Sequence, residues 1–159
     1  MMPRRSWEDE ELVLLRDNAR RFFERECVPH ELRWRAQHHA ERELWNKAGA
    51  AGILCASIPE EYGGSGLGLS AATAVLEEIH RSGCNGGACH AQMYTMGTVL
   101  KHGSAAQKAE YLPKIASGEI RLQAFGVTEP TAGTDTTRIS TFARREGDKY
   151  VVNGQKIWI

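Results

Sequence analysis

Phe125-Gly126-Val127-Thr128-Glu129-Pro130-Thr131-Ala132-Gly133-Thr134-Asp135 gathers hydroxyls, backbone donors, a carboxylate and an aromatic ring into one short stretch. Such a loop can offer the Thr128 hydroxyl and backbone N–H groups to the oxygens and ring nitrogens of a planar cofactor. Gly133 and Thr134 can meet a phosphate in a small anion nest, where backbone N–H groups converge. The alternative is a polar turn between strands, and the residue types alone leave both readings open. Glu129 has the chemistry of a general base, although an acid before proline is more often a turn residue. Trp158 stands two residues after Lys156. It is either a core residue or, if adjacent strands bring it beside the Thr-Glu-Pro loop, a cover for a flat cofactor.

Two other stretches carry less. Pro59-Glu60-Glu61-Tyr62-Gly63-Gly64-Ser65-Gly66-Leu67-Gly68 invites a dinucleotide-binding reading, but Leu69 stands where the third glycine of a G-x-G-x-x-G set begun at Gly64 belongs. No clear strand precedes it and no βαβ unit surrounds it. Its glycines are expected to shape an irregular loop between helices, where positive φ and close backbone approach are needed. Cys84, Cys89 and His90 suggest a metal at first sight, yet no second ligand pair follows at zinc spacing. With Cys27 and Cys55 they make four cysteines, too sparse for a disulfide framework, so a structural or neutral role is expected.

The elements that must position these residues read as helices first. Ser6 followed by Asp9 is a helix start, with Ser6 as N-cap. Leu12, Leu15, Ala19, Phe22, Phe23 and Cys27 then recur at helical steps and stop before Pro29. A second helix is expected near 41–51, with Leu44, Trp45 and Ala48 inward. A third starts from a Ser70 cap and runs through Ala71, Ala74, Val75, Leu76 and Ile79 to Gly83. A fourth carries Met93, Met96, Val99 and Leu100. A fifth runs from about Ala105 to Ile115, with Pro113 expected to break its last turn. Beyond Gly118 the period becomes two. Leu122, Ala124 and Gly126 alternate with Gln123, Phe125 and Val127, which predicts a strand. Ile139–Arg145 and Lys149–Val152 predict two more around a Gly147-Asp148 turn. Asn153-Gly154 predicts a second hairpin of type I′ leading into Gln155–Ile159. The fold class is therefore α+β: an all-helical N-terminal domain, 1–119, followed by the first strands of an incomplete β domain, 120–159.

Composition narrows the partners. The 159 residues hold 20 Lys and Arg against 20 Asp and Glu, a net charge of zero, which argues against a general nucleic-acid binder. No apolar run approaches the ~20 residues that span a bilayer. Glu8, Asp9, Glu10 and Glu11 follow the N-terminal basic pair at once, so neither a secretory signal nor a transit peptide is evident. A bacterial cytoplasmic location is expected.

The ordered set of motifs resembles the N-terminal portion of an acyl-CoA dehydrogenase. The matching stretches are Pro59-Glu60-Glu61-Tyr62-Gly63-Gly64, Gln107-Lys108 with Tyr111-Leu112-Pro113, and Ser117-Gly118-Glu119. Thr128-Glu129-Pro130 with Ala132-Gly133-Thr134-Asp135 follows, and Asn153-Gly154-Gln155-Lys156-Ile157-Trp158-Ile159 closes the set. The resemblance implies a flavoprotein of fatty-acid metabolism whose N-terminal helical domain precedes a β domain, with FAD held between them and a C-terminal helical bundle. Carried over by position, Phe125, Gly126, Val127, Thr128, Gly133, Thr134, Trp158 and Ile159 would bind FAD. The Val127 backbone and Thr128 hydroxyl would meet the pyrimidine end of the flavin, and Thr134 would also touch the acyl-CoA substrate. Position 134 is commonly serine in the family, so threonine adds a methyl group there.

The reaction implied by the resemblance removes two hydrogens across Cα–Cβ of an acyl thioester. A carboxylate takes the α proton and the β hydrogen leaves as hydride to flavin N5. The resemblance puts that base in a C-terminal domain and matches it to no residue here, so no catalytic residue and no metal ligand is named. It further implies electron-transfer flavoprotein as electron acceptor and a homotetramer or homodimer at full length, and the isolated chain is expected to be inactive. Rival readings are an acyl-CoA oxidase or nitroalkane-oxidase type of flavoenzyme, and a non-enzymic helical partner subunit.

Overall fold

Asp9 opens the first helix, α1 (Glu10–Glu26): its carboxylate accepts the Leu12 N–H at 2.8 Å, and Glu10 and Glu11 fill the first turn, where the helix dipole favours acids. The computed structural model describes residues 8–159. The cap expected at Ser6 lies outside them, and Asp9 does that work within them. Pro29 does not simply end the chain's helicity. It sits in a 3₁₀ turn, Val28–His30, that hands the chain to a short α2 (Glu31–Gln37).

The stripe of α1 buries Leu12, Ala19, Phe22 and Phe23. Its main partner is α4 (Gly68–Arg81), whose Ala71, Ala74, Val75 and Ile79 face it across a close contact. Small side chains on α4 let the two backbones approach. Between them in sequence, α3 (Arg42–Ala50) adds Trp45 and Ala48 to the core. The start of α4 departs from expectation. The helix begins at Gly68 with Leu67 as an N-cap that makes no side-chain bond, so Ser70 lies inside it and does not cap it.

A second core joins Cys55, Ile58 and Met96 of α5 (Gly87–His102) to Leu112, Ile115 and Ala116 of α6 (Ala105–Ala116). Ser104 and Gln107 form a reciprocal capping box at the start of α6. Pro113 does not break the last turn, and the helix runs through it to Ala116. One missing N–H is outweighed by the buried Leu112, Ile115 and Ala116, because tertiary packing supplies most helical stability. The glycine-rich stretch is the irregular loop expected. Gly63, Gly66 and Gly68 have φ of 82°, 67° and 76°, and a Cβ on Gly64 would stand 2.0 Å from the Ile58 carbonyl oxygen. That loop folds back on its own approach, with Ser65 N–H on the Cys55 carbonyl and Leu67 N–H on the Ala56 carbonyl.

The chain divides into two units, Met1–Gln123 and Ala124–Ile159. Among the described residues the α-helices all lie in the first, and the second holds a 3₁₀ turn, Thr136–Arg138, and one antiparallel pair, β1 (Phe142–Glu146) and β2 (Lys149–Asn153). Their register sets Glu146 opposite Lys149, so Gly147-Asp148 is a two-residue loop. Gly147, at φ 64°, occupies the position where a type II′ turn takes glycine.

Two strand expectations fail. Residues 122–127 form no strand, although their residues alternate. Leu122 packs on the second core and its carbonyl accepts the Thr95 hydroxyl, whereas Ala124, Phe125 and Gly126 are all exposed. The alternation therefore does not separate an inner face from an outer one, and no described strand offers this stretch a ladder. Asn153-Gly154 makes no hairpin either. Asn153 ends β2, and Gly154 is needed for closeness, since a Cβ there would meet the Thr141 hydroxyl at 2.0 Å. No described helix is long and apolar enough to cross a membrane.

Candidate functional site

The unit Ala124–Ile159 is organised around one buried carboxylate. Glu129 Oε2 accepts the Ser140 N–H at 2.7 Å and the Ser140 hydroxyl at 2.8 Å. Its Oε1 accepts the Thr141 N–H at 3.0 Å and the Lys156 ammonium at 2.9 Å. The backbone beside it closes a tight turn, with Glu129 N–H on the Ala132 carbonyl at 2.9 Å and the return bond at 3.2 Å. Donors from Thr141, Ser140 and Lys156 hold the Glu129 carboxyl well below the usual carboxylate range. A group so held is a permanent anion and a poor proton acceptor. The general-base reading of Glu129 therefore gives way to the turn reading, with a structural purpose added.

Lys156 links two of the stretches singled out above. Its ammonium donates to the Val127 carbonyl at 3.0 Å as well as to Glu129. One residue on, Ile157 N–H donates to the Thr128 carbonyl at 3.0 Å. A Cβ on Gly126 would stand 3.6 Å from both Lys156 Cγ and Ile159 Cδ1. The structure thus brings Phe125, Gly126, Val127 and Thr128 beside the segment carrying Trp158 and Ile159. The expected adjacent strands are not what joins them. A single backbone bond and a lysine do so.

Gly133 and Thr134 lie past the turn, exposed and outside the Lys156 network. A Cβ on Gly133 would touch nothing within 4 Å, so open space surrounds it. Asp135 folds the next stretch, its carboxylate accepting the Thr137 N–H at 3.1 Å and the Thr137 hydroxyl. Trp158 has φ 61° and is 89% exposed. A bulky residue in the left-handed region is a backbone outlier of the kind that clusters at ligand sites. Phe125 and Ile159 are exposed as well. Nothing in the residue types announced Ser140 or Thr141, and Lys156 stood out only as a member of the stretch 153–159, because a lone lysine usually reads as solvated surface.

The pH dependence of this arrangement has a definite sign. The folded unit holds Glu129 as an anion more firmly than the unfolded chain does. Its contribution is therefore complete above about pH 4.5, the ordinary value of the carboxyl. It drains away as pH falls toward the lowered folded value. Amide exchange at Ser140 and Thr141, corrected for intrinsic rates, should hold steady from pH 7 to 5 and accelerate below 4.5. Glu129→Gln should remove that dependence. Protection unchanged down to pH 3 would contradict it.

In the helical unit, Phe22, Phe23, Leu44, Val75 and Ile79 help line an apolar cavity of about 420 Å³, within the size range of small-molecule pockets. Three thiols also border it. Burial pushes Cys27 up to about 12 and Cys89 up to about 11, and raises Cys84, so all three stay protonated and unreactive near neutrality. Among the described residues no three His, Cys, Asp or Glu side chains are grouped to hold a metal ion.

Residues 9–119 match the family model "Acyl-CoA dehydrogenase, N-terminal domain", and residues 124–159 match "Acyl-CoA dehydrogenase, middle domain". The chain is 34% identical over 148 residues to the long-chain specific acyl-CoA dehydrogenase of Sus scrofa mitochondria, covering 92% of this chain and 34% of that protein. It is 39% identical over 155 residues to glutaryl-CoA dehydrogenase of Desulfococcus multivorans, covering 94% and 39%. A crystal structure of an acyl-CoA dehydrogenase from Bacillus anthracis, complexed with FAD, superposes with a TM-score of 0.78. It is 32% identical and covers 96% of this chain and 27% of that one. The chain therefore spans about a third of the length of the curated relatives it matches.

Proposed function

The chain belongs to the acyl-CoA dehydrogenase family, and on that premise we propose that it carries part of the FAD and substrate surface of an enzyme that α,β-dehydrogenates acyl-CoA thioesters. Residues 1–119 are taken as its helical domain and 120–159 as the start of its β domain. The single observation that carries the reading is the Lys156 bridge. It sets the loop from Phe125 to Thr128 beside Trp158 and Ile159 within one unit.

The donor chemistry of that arrangement fits a flavin. The carbonyls of Val127 and Thr128 are both engaged, by Lys156 and Ile157. What this stretch offers outward is therefore N–H and hydroxyl donors, and the pyrimidine edge of a flavin is mostly acceptors. Trp158, Phe125 and Ile159 supply exposed apolar surface for a flat ring system. The open space at Gly133 allows a bulky group to approach the backbone. When bound, FAD supplies the acceptor for the hydrogen that leaves the substrate β carbon.

In this reading Val127 and Thr128 orient the ring edge, Trp158 covers a face and keeps water away, and Thr134 reaches both cofactor and acyl-CoA. Glu129 anchors the loop and takes no proton. It is the buried carboxylate of 124–159, and it already accepts four hydrogen bonds. Residues 1–159 alone are accordingly expected to show no turnover. Electron-transfer flavoprotein is the proposed electron acceptor and a homo-oligomer the proposed assembly.

The test is to purify the protein with FAD supplied and to follow dye reduction with acyl-CoA thioesters of graded length. FAD uptake by residues 1–159 without turnover supports the reading. Robust turnover by those residues alone, or absence of any FAD uptake, would sink it.

A further inference from the structure

We propose that Lys156 and Glu129 are a positioning pair that fixes which backbone atoms of Val127 and Thr128 face the flavin, an inference that rests on the FAD reading above. In an extended segment successive carbonyls point to opposite sides, so the atoms presented to a ligand depend on how each peptide plane is held. Here two neighbouring planes are held by two neighbouring residues. The Lys156 ammonium takes the Val127 carbonyl at 3.0 Å, and Ile157 N–H takes the Thr128 carbonyl at 3.0 Å.

A lysine alone would hold its acceptor loosely, because its stem is flexible. Glu129 removes that freedom. Its carboxylate is buried and clamped by the Ser140 and Thr141 N–H groups and the Ser140 hydroxyl, at 2.7 to 3.0 Å. The links therefore run from Ser140 and Thr141 to Glu129, from Glu129 to Lys156, and from Lys156 to Val127. Trp158 lies two residues beyond Lys156 with its backbone at φ 61°. The same pair thus sets the loop donors and the ring that would cover the cofactor.

The charge pattern supports an ordering role. Lys156 is half-buried and Glu129 buried, and each would be costly without the other. The ammonium, a compact charge with three donors, can serve a carbonyl and a carboxylate together. Neither group needs to touch FAD for this. Both act through Val127, Thr128 and Trp158.

The experiment uses the purified full chain, wild type against Lys156→Met and Lys156→Arg, titrated with FAD and followed by the visible flavin spectrum. Lys156→Met should weaken FAD binding at least ten-fold and shift the bound flavin band. Lys156→Arg, which keeps a cation, should recover part of the affinity. Without FAD, the peptide spanning residues 125–134 should exchange its amides faster in Lys156→Met. Far-UV circular dichroism should melt as in the wild type, because the helices of the first unit do not depend on this pair. Wild-type affinity and an unchanged band in Lys156→Met would overturn the inference while leaving the FAD reading standing. A wild-type chain that takes up no FAD would overturn that reading and this inference with it.

Discussion

An Arg16→Met variant is expected to lose about 3–5 kcal/mol of unfolding free energy, the usual cost of removing one partner from a buried ion pair. Arg16 is the cation that ties α1 to α4. Its Nη2 meets Glu8 Oε1 at 2.8 Å, and its Nη1 meets Glu77 Oε2 at 2.8 Å and Glu78 Oε1 at 3.1 Å. The Arg16 side chain is 12% exposed and that of Glu78 is 0% exposed. Methionine keeps the aliphatic volume but leaves Glu78 with Arg81 alone, at 3.2 Å. A lysine at position 16 keeps the charge without the two-branched guanidinium that reaches three carboxylates, so it should rescue only in part. Arg16→Met with Glu78→Met should recover most of the loss, since a buried pair exchanged for apolar side chains is often neutral. Urea denaturation followed by circular dichroism measures each. A single-variant loss below about 0.5 kcal/mol would mean that the network behaves as ordinary surface charge.

Gly118→Ala should be nearly as damaging, and for a steric reason. Gly118 follows the end of α6 at φ 79°, and a Cβ there would stand 2.2 Å from the Trp45 carbonyl oxygen and 2.8 Å from the Asn46 nitrogen. The left-handed backbone costs an L-residue roughly 1–2 kcal/mol, and forced overpacking adds roughly 1–3 kcal/mol. A loss of about 2–5 kcal/mol in the same denaturation assay is the expected outcome. An alanine variant as stable as the wild type would show that α3 and α6 separate more easily than their packing implies.

Most of the helical unit was legible because its helices bury one face each. The steps through Ala19, Phe22 and Phe23, or through Ala71, Ala74, Val75 and Ile79, mark the sides that became core. Helix α2 was not legible. It buries no residue fully and leaves Leu32 exposed, so no stripe exists to find. Burial also selected Glu78, which its charge alone would have assigned to solvent although it falls in step with Ala71, Ala74 and Val75. In the second unit, alternation at 122–127 lacked a partner strand, and the Asn-Gly pair was overridden by the close approach of Gly154 to Thr141. The loop from Phe125 to Asp135 was visible from its residue types. The reason it holds its shape was not, because a buried carboxylate clamped by Ser140, Thr141 and Lys156 is a long-range fact. Short motifs report which groups are present, and only the fold reports which of their atoms are already engaged.

The central claim is that the stretch from Phe125 to Thr134, with Trp158 and Ile159, holds a flavin. Its most direct test is the FAD dissociation constant of the purified full chain beside those of Thr128→Val and Trp158→Ala. We predict FAD uptake by the wild type, about five- to ten-fold weaker binding on loss of the Thr128 hydroxyl, one hydrogen bond's worth, and weaker binding again without the Trp158 ring. FAD bound with equal affinity by all three proteins, or by none, would contradict the account.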